Sequence, residues 1–267
     1  MYNKDLTIFS VFHKDFPNPN CDFIKAIQVG TSLTNADLGF LKDNEGENIS
    51  VKNPTHCELT ALYWIWKNLD KIDSKYIGLC HYRRYFTLPL LKKGIFGIDK
   101  NDKRDTYIEQ FDNQSLSKIS SNQVLNSFLN TLNQGKLILP KAVLLEGLKD
   151  HHFNLKEHYI YNHIKEDWYN LEEAVHKICP DYYNLFQQYT NSTNKISCYN
   201  MFIGDRDFVK NYCDWLFPIL EELENTVKPS EYPYQKRVFG FISERLVNLY
   251  AFKNQLNIAE YPVVFFE

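Results

Sequence analysis

A chain of 267 residues with 44% apolar content is long enough to bury one large α/β core, and its 30 Lys and Arg against 33 Asp and Glu leave a net charge of −3. That balance excludes a global basic field for nucleic acid or anionic membrane, so any anion site must be local. Six scattered cysteines with no Cys-x-x-Cys pair argue against a zinc or disulfide framework; with no signal-peptide core and no bilayer-length apolar run, the expected location is the cytoplasm, with at most a peripheral visit to the inner membrane face.

Leu6 to Phe12 is rich in β-branched and aromatic residues and reads as a first buried strand, with the polar pair His13 and Lys14 at its end. Phe23 to Val29 reads as a second strand closing at Gly30, after a loop marked by Pro17 and Pro19. Asp43 to Ser50 is polar and glycine-bearing, suiting an ordinary turn or a backbone cradle for a nucleotide or sugar. A helix follows, with Asn53 as cap, Pro54 in the first turn, and Leu59, Leu62, Tyr63, Trp66 and Leu69 at helical spacing. Glu58 lies near its amino end, where a carboxylate gains from the dipole.

Tyr76 to Cys80 is a short buried strand, and His81 to Arg84 then offer an imidazole, a phenol and two guanidinium groups where it should run out. In open α/β sheets the ligand crevice lies beyond the carboxyl ends of the strands, and paired arginines can grip a diphosphate through forked hydrogen bonds. The plainer alternative has one Arg in solvent and the other paired with a carboxylate. Residues 87–121 lack periodicity and suggest an insertion or lid. Val124 to Leu132 restore a helix stopped by Gly135, and Lys136 to Pro140 form another buried strand.

From His151 to Gln188 the pattern is helical and polar. His163 and Asp167, four apart, can meet on one helix face to orient an imidazole, bind an acceptor hydroxyl, or make a surface hydrogen bond. Cys198 to Ile203 is strand-like, with Asn200 polar inside it. Asp205-Arg-Asp207 could hold a cation on a diphosphate, but a helix cap explains it more cheaply. In the last helix Phe239, Ile242, Leu246 and Leu249 make the apolar stripe; Arg237 and Glu244 share the opposite face, as solvated residues or as the wall of a cleft. Tyr261 to Phe266 reads as a closing strand. Aromatic residues reach 15%, a surplus that fills cores or lines sugar sites.

Four stretches together carry a resemblance: the Gly-x-Asn-Ile-Ser of residues 46–50, Cys57 to Asn68, Gly78 to Phe86 with its His-Tyr-Arg-Arg-Tyr, and Tyr234 to Leu246 with its Gly-Phe-x-x-Glu-Arg-Leu. They resemble the bacterial glycosyltransferase-like family of capsule, exopolysaccharide and O-antigen loci, long catalogued as a domain of unknown function. The resemblance spans nearly the whole chain. It implies a single α/β domain of variant GT-A, Rossmann-like fold with a helical C-terminal portion. It also implies hexosyltransferase activity, moving a sugar, galactofuranose in some relatives, from a UDP donor to a glycan or lipid-linked oligosaccharide with inversion.

On that footing Arg83, Arg84 and His81 stabilise the diphosphate, with His13, Lys14, Asn48, Glu58 and Lys67 as further donor contacts and Asn200 and Arg237 toward sugar or acceptor. Glu244 is the candidate base, with Asp167 and His163 as rivals. No cofactor is demanded, and a divalent cation (Mg or Mn) has no convincing ligand set behind it. A competing class is a non-catalytic carbohydrate-binding or assembly module of a polysaccharide locus.

Overall fold

The structure is a computed structural model that describes residues 2–19, 21–89, 91–93, 99–101, 106–148 and 151–267. Ten strands share one sheet: β1 (Leu6–Phe12), β2 (Ile24–Gln28), β3 (Leu41–Lys42), β4 (Tyr76–His81), β5 (Arg84–Phe86), β6 (Thr106–Glu109), β7 (Leu137–Pro140), β8 (Phe202–Asp205), β9 (Ile258–Tyr261) and β10 (Val263–Phe266). The main path runs β9-β7-β8-β4-β1-β2-β3, while β5 turns back from β4 and carries β10 and β6 as a side branch. β1 pairs in parallel with β2 and β4, as β2 does with β3 and β7 with β9. Only β8 runs against its neighbours on this path.

All seven residues of β1 are buried, because a central parallel strand is covered on both faces. The helices are α1 (Asn53–His56), α2 (Leu59–Lys67), α3 (Asn113–Ser120), α4 (Asn122–Leu132), α5 (Leu155–Asn162), α6 (Lys165–Ile178), α7 (Pro180–Ser192), α8 (Arg206–Glu224) and α9 (Val238–Lys253). One face of the sheet packs Phe9, Val11, Ile77 and Leu79 against α2, α6, α8 and α9. The other packs Ile8, Cys80 and Ile138 against α3, α4 and β10. The result is a three-layer α/β fold of the GT-A-like kind, with its helical bulk toward the carboxyl terminus. No helix among the described residues is long and apolar enough to cross a membrane.

Four local expectations are corrected. The helix expected from Asn53 is broken at Cys57 (φ 51°), and Asn53 does not cap its start; its side-chain amide donates to Cys57 O (2.8 Å) and holds the break. His163 and Asp167 do not share a helix. His163 has extended backbone after α5, while Asp167 lies in the first turn of α6, so the i,i+4 geometry is lost. Tyr199 and Asn200 are not strand but a left-handed turn (φ 75° and 52°) ahead of β8. The closing strand is two, β9 and β10, separated at Pro262, which cannot donate to a ladder.

Within 87–121, β6 pairs with β10 as part of the main sheet and α3 packs Ile119 into the core; residues 90, 94–98 and 102–105, the middle of the expected lid, lie outside the described residues. Asp205 caps α8, its carboxylate accepting from Phe208 N at 2.7 Å, as the plainer reading of the Asp-x-Asp triplet holds.

Strand order reverses between β1, which leads outward to β2 and β3, and β4 on its other side. This is the topological switch point, and the ends of both strands open there into a cleft.

Candidate active site

The cleft has a volume of about 490 Å³. Its floor is the strand ends, with Val11 from β1, His13 just beyond it, Val29 beyond β2 and His81 from β4. The end of β2 is fixed by Asp43, fully buried, whose carboxylate accepts from Gly30 N (2.9 Å), Thr31 N (3.2 Å), Thr31 Oγ1 (2.7 Å) and Ser50 Oγ (2.6 Å). Gly30 sits at φ 66°, and a Cβ there would strike Asn53 at 2.9 Å, so glycine is required where the chain turns beneath α1. The Asp43–Ser50 stretch is thus an ordered turn around one carboxylate.

One wall is the hairpin between β4 and β5. His81 pairs with Arg84, leaving Tyr82 and Arg83 as the two-residue connection. Arg83 Nε donates to Phe266 O (2.6 Å), and its guanidinium lies over the rings of Phe265 (4.7 Å) and Phe16 (5.7 Å). Arg84 is flanked by Tyr199 (4.8 Å) and Phe265 (4.9 Å). Both arginines line the cleft, and neither forms an ion pair among the described residues. Aromatic rings hold these cations without neutralising them, which suits them to take up an anion from outside.

His81 donates Nε2–H to Tyr199 O (2.6 Å), since a carbonyl can only accept. Burial, with Arg84 and Arg237 beside it, lowers the His81 pKa, against the pull of Glu58. His81 is therefore a neutral, pinned imidazole, and the cationic shelf is made by the arginines. His13, whose pKa is lowered by burial and then by Lys14, Arg237 and His81, stands edge-on to Tyr82 at the shelf's margin. Lys14, exposed beside Tyr82, lies outside the lining.

The opposite wall is built where α1 breaks. Cys57 and Glu58 line the cleft together with Arg237, whose Nε donates to Cys57 Sγ at 3.3 Å. Burial, then the nearby Glu58 charge, pushes the Cys57 thiol up to about 12, so it is neutral. Glu58 is 7% exposed and is the sole carboxylate among the described lining residues. One of its oxygens, Oε1, accepts a short hydrogen bond from Asn200 Nδ2, and Asn200 is itself fixed by Gly240 O (3.0 Å) and Ser243 Oγ (2.9 Å). The left-handed turn at Tyr199 and Asn200 thereby joins β4, α9 and Glu58.

Glu244 braces the same turn from behind. Its Oε1 accepts from Tyr199 N (2.8 Å) and its Oε2 from Arg245 (3.3 Å), while burial raises its pKa. It is not among the cleft's lining residues. His163 and Asp167 sit farther out. Gln235 donates to Asn162 O (2.9 Å) and so turns its Oε1 to His163 Nδ1 (3.1 Å), which must carry the proton. Burial, then Arg245, pushes His163 down to about 4. Asp167 is buried and pushed up to about 6. Asn48 is spent on its own turn, donating to Asn44 O and Gly46 O (3.0 and 2.7 Å). Lys67 pairs with Glu47 (2.9 Å) over the Trp66 ring in a separate cavity of about 280 Å³.

The structure thus gathers His13, Glu58, His81, Arg83, Arg84 and Arg237 around one cleft, with Asn200 immediately behind Glu58 and Glu244 behind the turn. Cys57, which the sequence did not single out as a site residue, lines the cleft as well, and Asp43, from the stretch read as a turn or cradle, fixes the end of β2. Among the described lining residues a single carboxylate, Glu58, held at Oε1 by Asn200, faces three guanidinium groups. Among the described residues no group of three or more His, Cys, Asp or Glu side chains could hold a metal ion.

No curated protein matches the chain. Among solved structures, the apo form of WbbM, described as a bifunctional glycosyltransferase, aligns with a TM-score of 0.83 at 28% identity, covering 98% of this chain and 45% of that one. This chain therefore spans less than half the length of that protein, and the likeness carries the GT-A-like fold across its full extent. The family described as a domain of unknown function, DUF4422, matches over residues 7–255, from the first strand to the end of the last helix, and the chain belongs to it.

Proposed function

We propose that the chain is a glycosyltransferase of hexosyltransferase type that moves a sugar from a UDP-linked donor to a hydroxyl of a growing surface glycan, with inversion. Galactofuranose is the donor sugar the family resemblance favours, and a lipid-linked oligosaccharide at the inner membrane face is the acceptor class that goes with it. The observation that carries this reading is the pair Arg83 and Arg84, held on aromatic rings without a carboxylate partner and facing a single anchored carboxylate across a switch-point cleft.

In this mechanism the diphosphate lies on the Arg83–Arg84 shelf. The acceptor oxygen attacks the anomeric carbon as the bond to the diphosphate oxygen breaks, the electron pair leaves with UDP, and the two guanidinium groups stabilise the charge that develops there. The acceptor proton passes to Glu58, whose Oε2 makes no hydrogen bond among the described residues while Oε1 is held by Asn200. Glu244, tied at both oxygens, acts as a brace for the turn that carries Asn200.

The test is UDP release from a panel of nucleotide sugars, with and without an added hexoside. Arg83→Ala should lower turnover roughly a hundredfold, about 3 kcal/mol of barrier. In single-turnover assays Glu58→Gln should stop transfer while UDP still binds, whereas Asp167→Asn and His163→Asn should continue to react. Glycan binding without UDP release in the wild type would replace the enzyme by a binding module. Full chemistry in Glu58→Gln would return the base to Glu244.

A further inference from the structure

The segment 230–237 carries two exposed tyrosines next to the cleft's lining. Tyr232 is 65% exposed and Tyr234 is 48% exposed, and unlike the other exposed Tyr and Phe rings among the described residues, Tyr161, Tyr169 and Phe252, they flank a residue of the cleft's lining. Between them stands Pro233, which lines the cleft, and three residues on from Tyr234 is Arg237, which lines it too. Both tyrosines thus belong to the short piece of chain that supplies part of the cleft's wall, next in sequence to its lining residues.

The segment is tied down along its length. Tyr232 N donates to Ser230 Oγ (3.1 Å), Lys236 N donates to Tyr232 O (2.9 Å), and the Gln235 amide bridges Asn162 O and His163 Nδ1. The Tyr234 ring rests on Phe241 (centroids 5.0 Å apart) and stacks near-parallel to His163 (6.1 Å, 20°), so its orientation is set from behind. His163, a candidate for proton transfer from the sequence, is packed between these rings, stacked on Phe241 at 4.2 Å.

We propose that Tyr232 and Tyr234 form the platform on which the sugar ring of the acceptor is seated. The reading rests on the transferase function proposed above and adds the subsite that function needs. Tyrosine offers a flat apolar face for the C–H side of a sugar and a hydroxyl for its polar edge. The flanking Ser230, Glu231, Gln235 and Lys236 are polar, which suits a hydroxyl-rich ring better than an apolar peptide. The platform also stands on the side of the cleft that holds the carboxylate: Arg237 touches Cys57, and Glu58 is the next residue. An acceptor hydroxyl must reach Glu58, whereas the diphosphate belongs to the arginine shelf of the β4–β5 hairpin.

The experiment measures binding and turnover separately. Saturation-transfer NMR with a panel of octyl hexosides, in the presence of UDP, reports ring contact whether or not transfer occurs. The wild type should give contact from at least one hexoside, and Tyr232→Ala/Tyr234→Ala should lose it while the thermal shift caused by UDP is unchanged. With that hexoside as acceptor, Tyr234→Ala should raise the acceptor KM about tenfold and leave donor KM and acceptor-independent UDP release alone, and Tyr234→Phe should retain most of the affinity. Undiminished hexoside contact in the double variant, or no contact in the wild type, overturns the platform. Contact that is lost in the variant, in a protein that releases no UDP from any donor, keeps the platform and overturns the transferase.

Discussion

Asp167 lies buried in the first turn of α6, where burial, and then the charge of Glu166, pushes its carboxyl up to about 6. A carboxyl raised in the folded state contributes stability that is complete below its unfolded value and lost as pH rises through the folded one. At pH 8 the ionised group is a cost. Asp167→Asn should therefore stabilise the protein at pH 8 by on the order of 1–3 kcal/mol, with the gain shrinking toward pH 5. Urea titrations at the two pH values check this; a loss of stability at pH 8 would mean that the carboxylate has a partner worth more than its desolvation. At this scale the sequence was legible where a residue acts on its near neighbours, as Asp205 does in capping α8. It was not legible for Glu58, whose partner Asn200 is 142 residues away and whose obvious local role was the helix dipole.

Elements with a strong local signal appear where the pattern puts them. β1 is a continuous apolar run, and α4 follows its apolar repeat behind a Ser121 cap, whereas α3, capped by Asp112, lies in the stretch read as an aperiodic insertion. The breaks at Cys57, His163 and Tyr199–Asn200 were invisible, because each is imposed by packing against a distant element and overrides local propensity. The breaks at Cys57 and Tyr199–Asn200 shape the candidate site, since they aim Glu58 and Asn200. Gly78 shows how tightly β4 and β8 must approach for this: a Cβ there would stand 2.9 Å from Phe202 O and 3.0 Å from the Ile203 side chain. Gly78→Ala should force the strands apart at a cost of about 1–3 kcal/mol and weaken UDP binding, because the Tyr199–Asn200 turn leads directly into β8. An unchanged melting temperature would show that the strands can part without loss.

At the scale of the whole molecule, the switch-point cleft was legible in outline from one strand ending in His-Tyr-Arg-Arg, whereas the antiparallel insertion of β8 between parallel strands required the full set of long-range pairings. The summed titration of the fold follows from the same burial. His158 and His163 are both pushed down to about 4, chiefly by burial, so each is neutral when folded and takes up a proton on unfolding below about 6.5. Their contribution is present above the unfolded value and lost as pH falls toward the folded one. Asp167 acts in the opposite sense near pH 6, releasing on unfolding part of what the histidines bind. Among these three groups the balance is an uptake of roughly one proton, which alone lowers stability by about 1.4 kcal/mol per pH unit between pH 6.5 and 5.5; His13, His56 and His81, lowered chiefly by burial, act in the same sense, and Glu244, raised by burial, opposes them. His163→Gln should flatten that slope without abolishing folding at pH 7, because a neutral side chain already fills the site there. A slope that is flat in the wild type, or unchanged in the variant, would mean that these imidazoles keep their water in the folded protein, and with it that the aromatic pile behind the cleft rim is looser than its geometry requires.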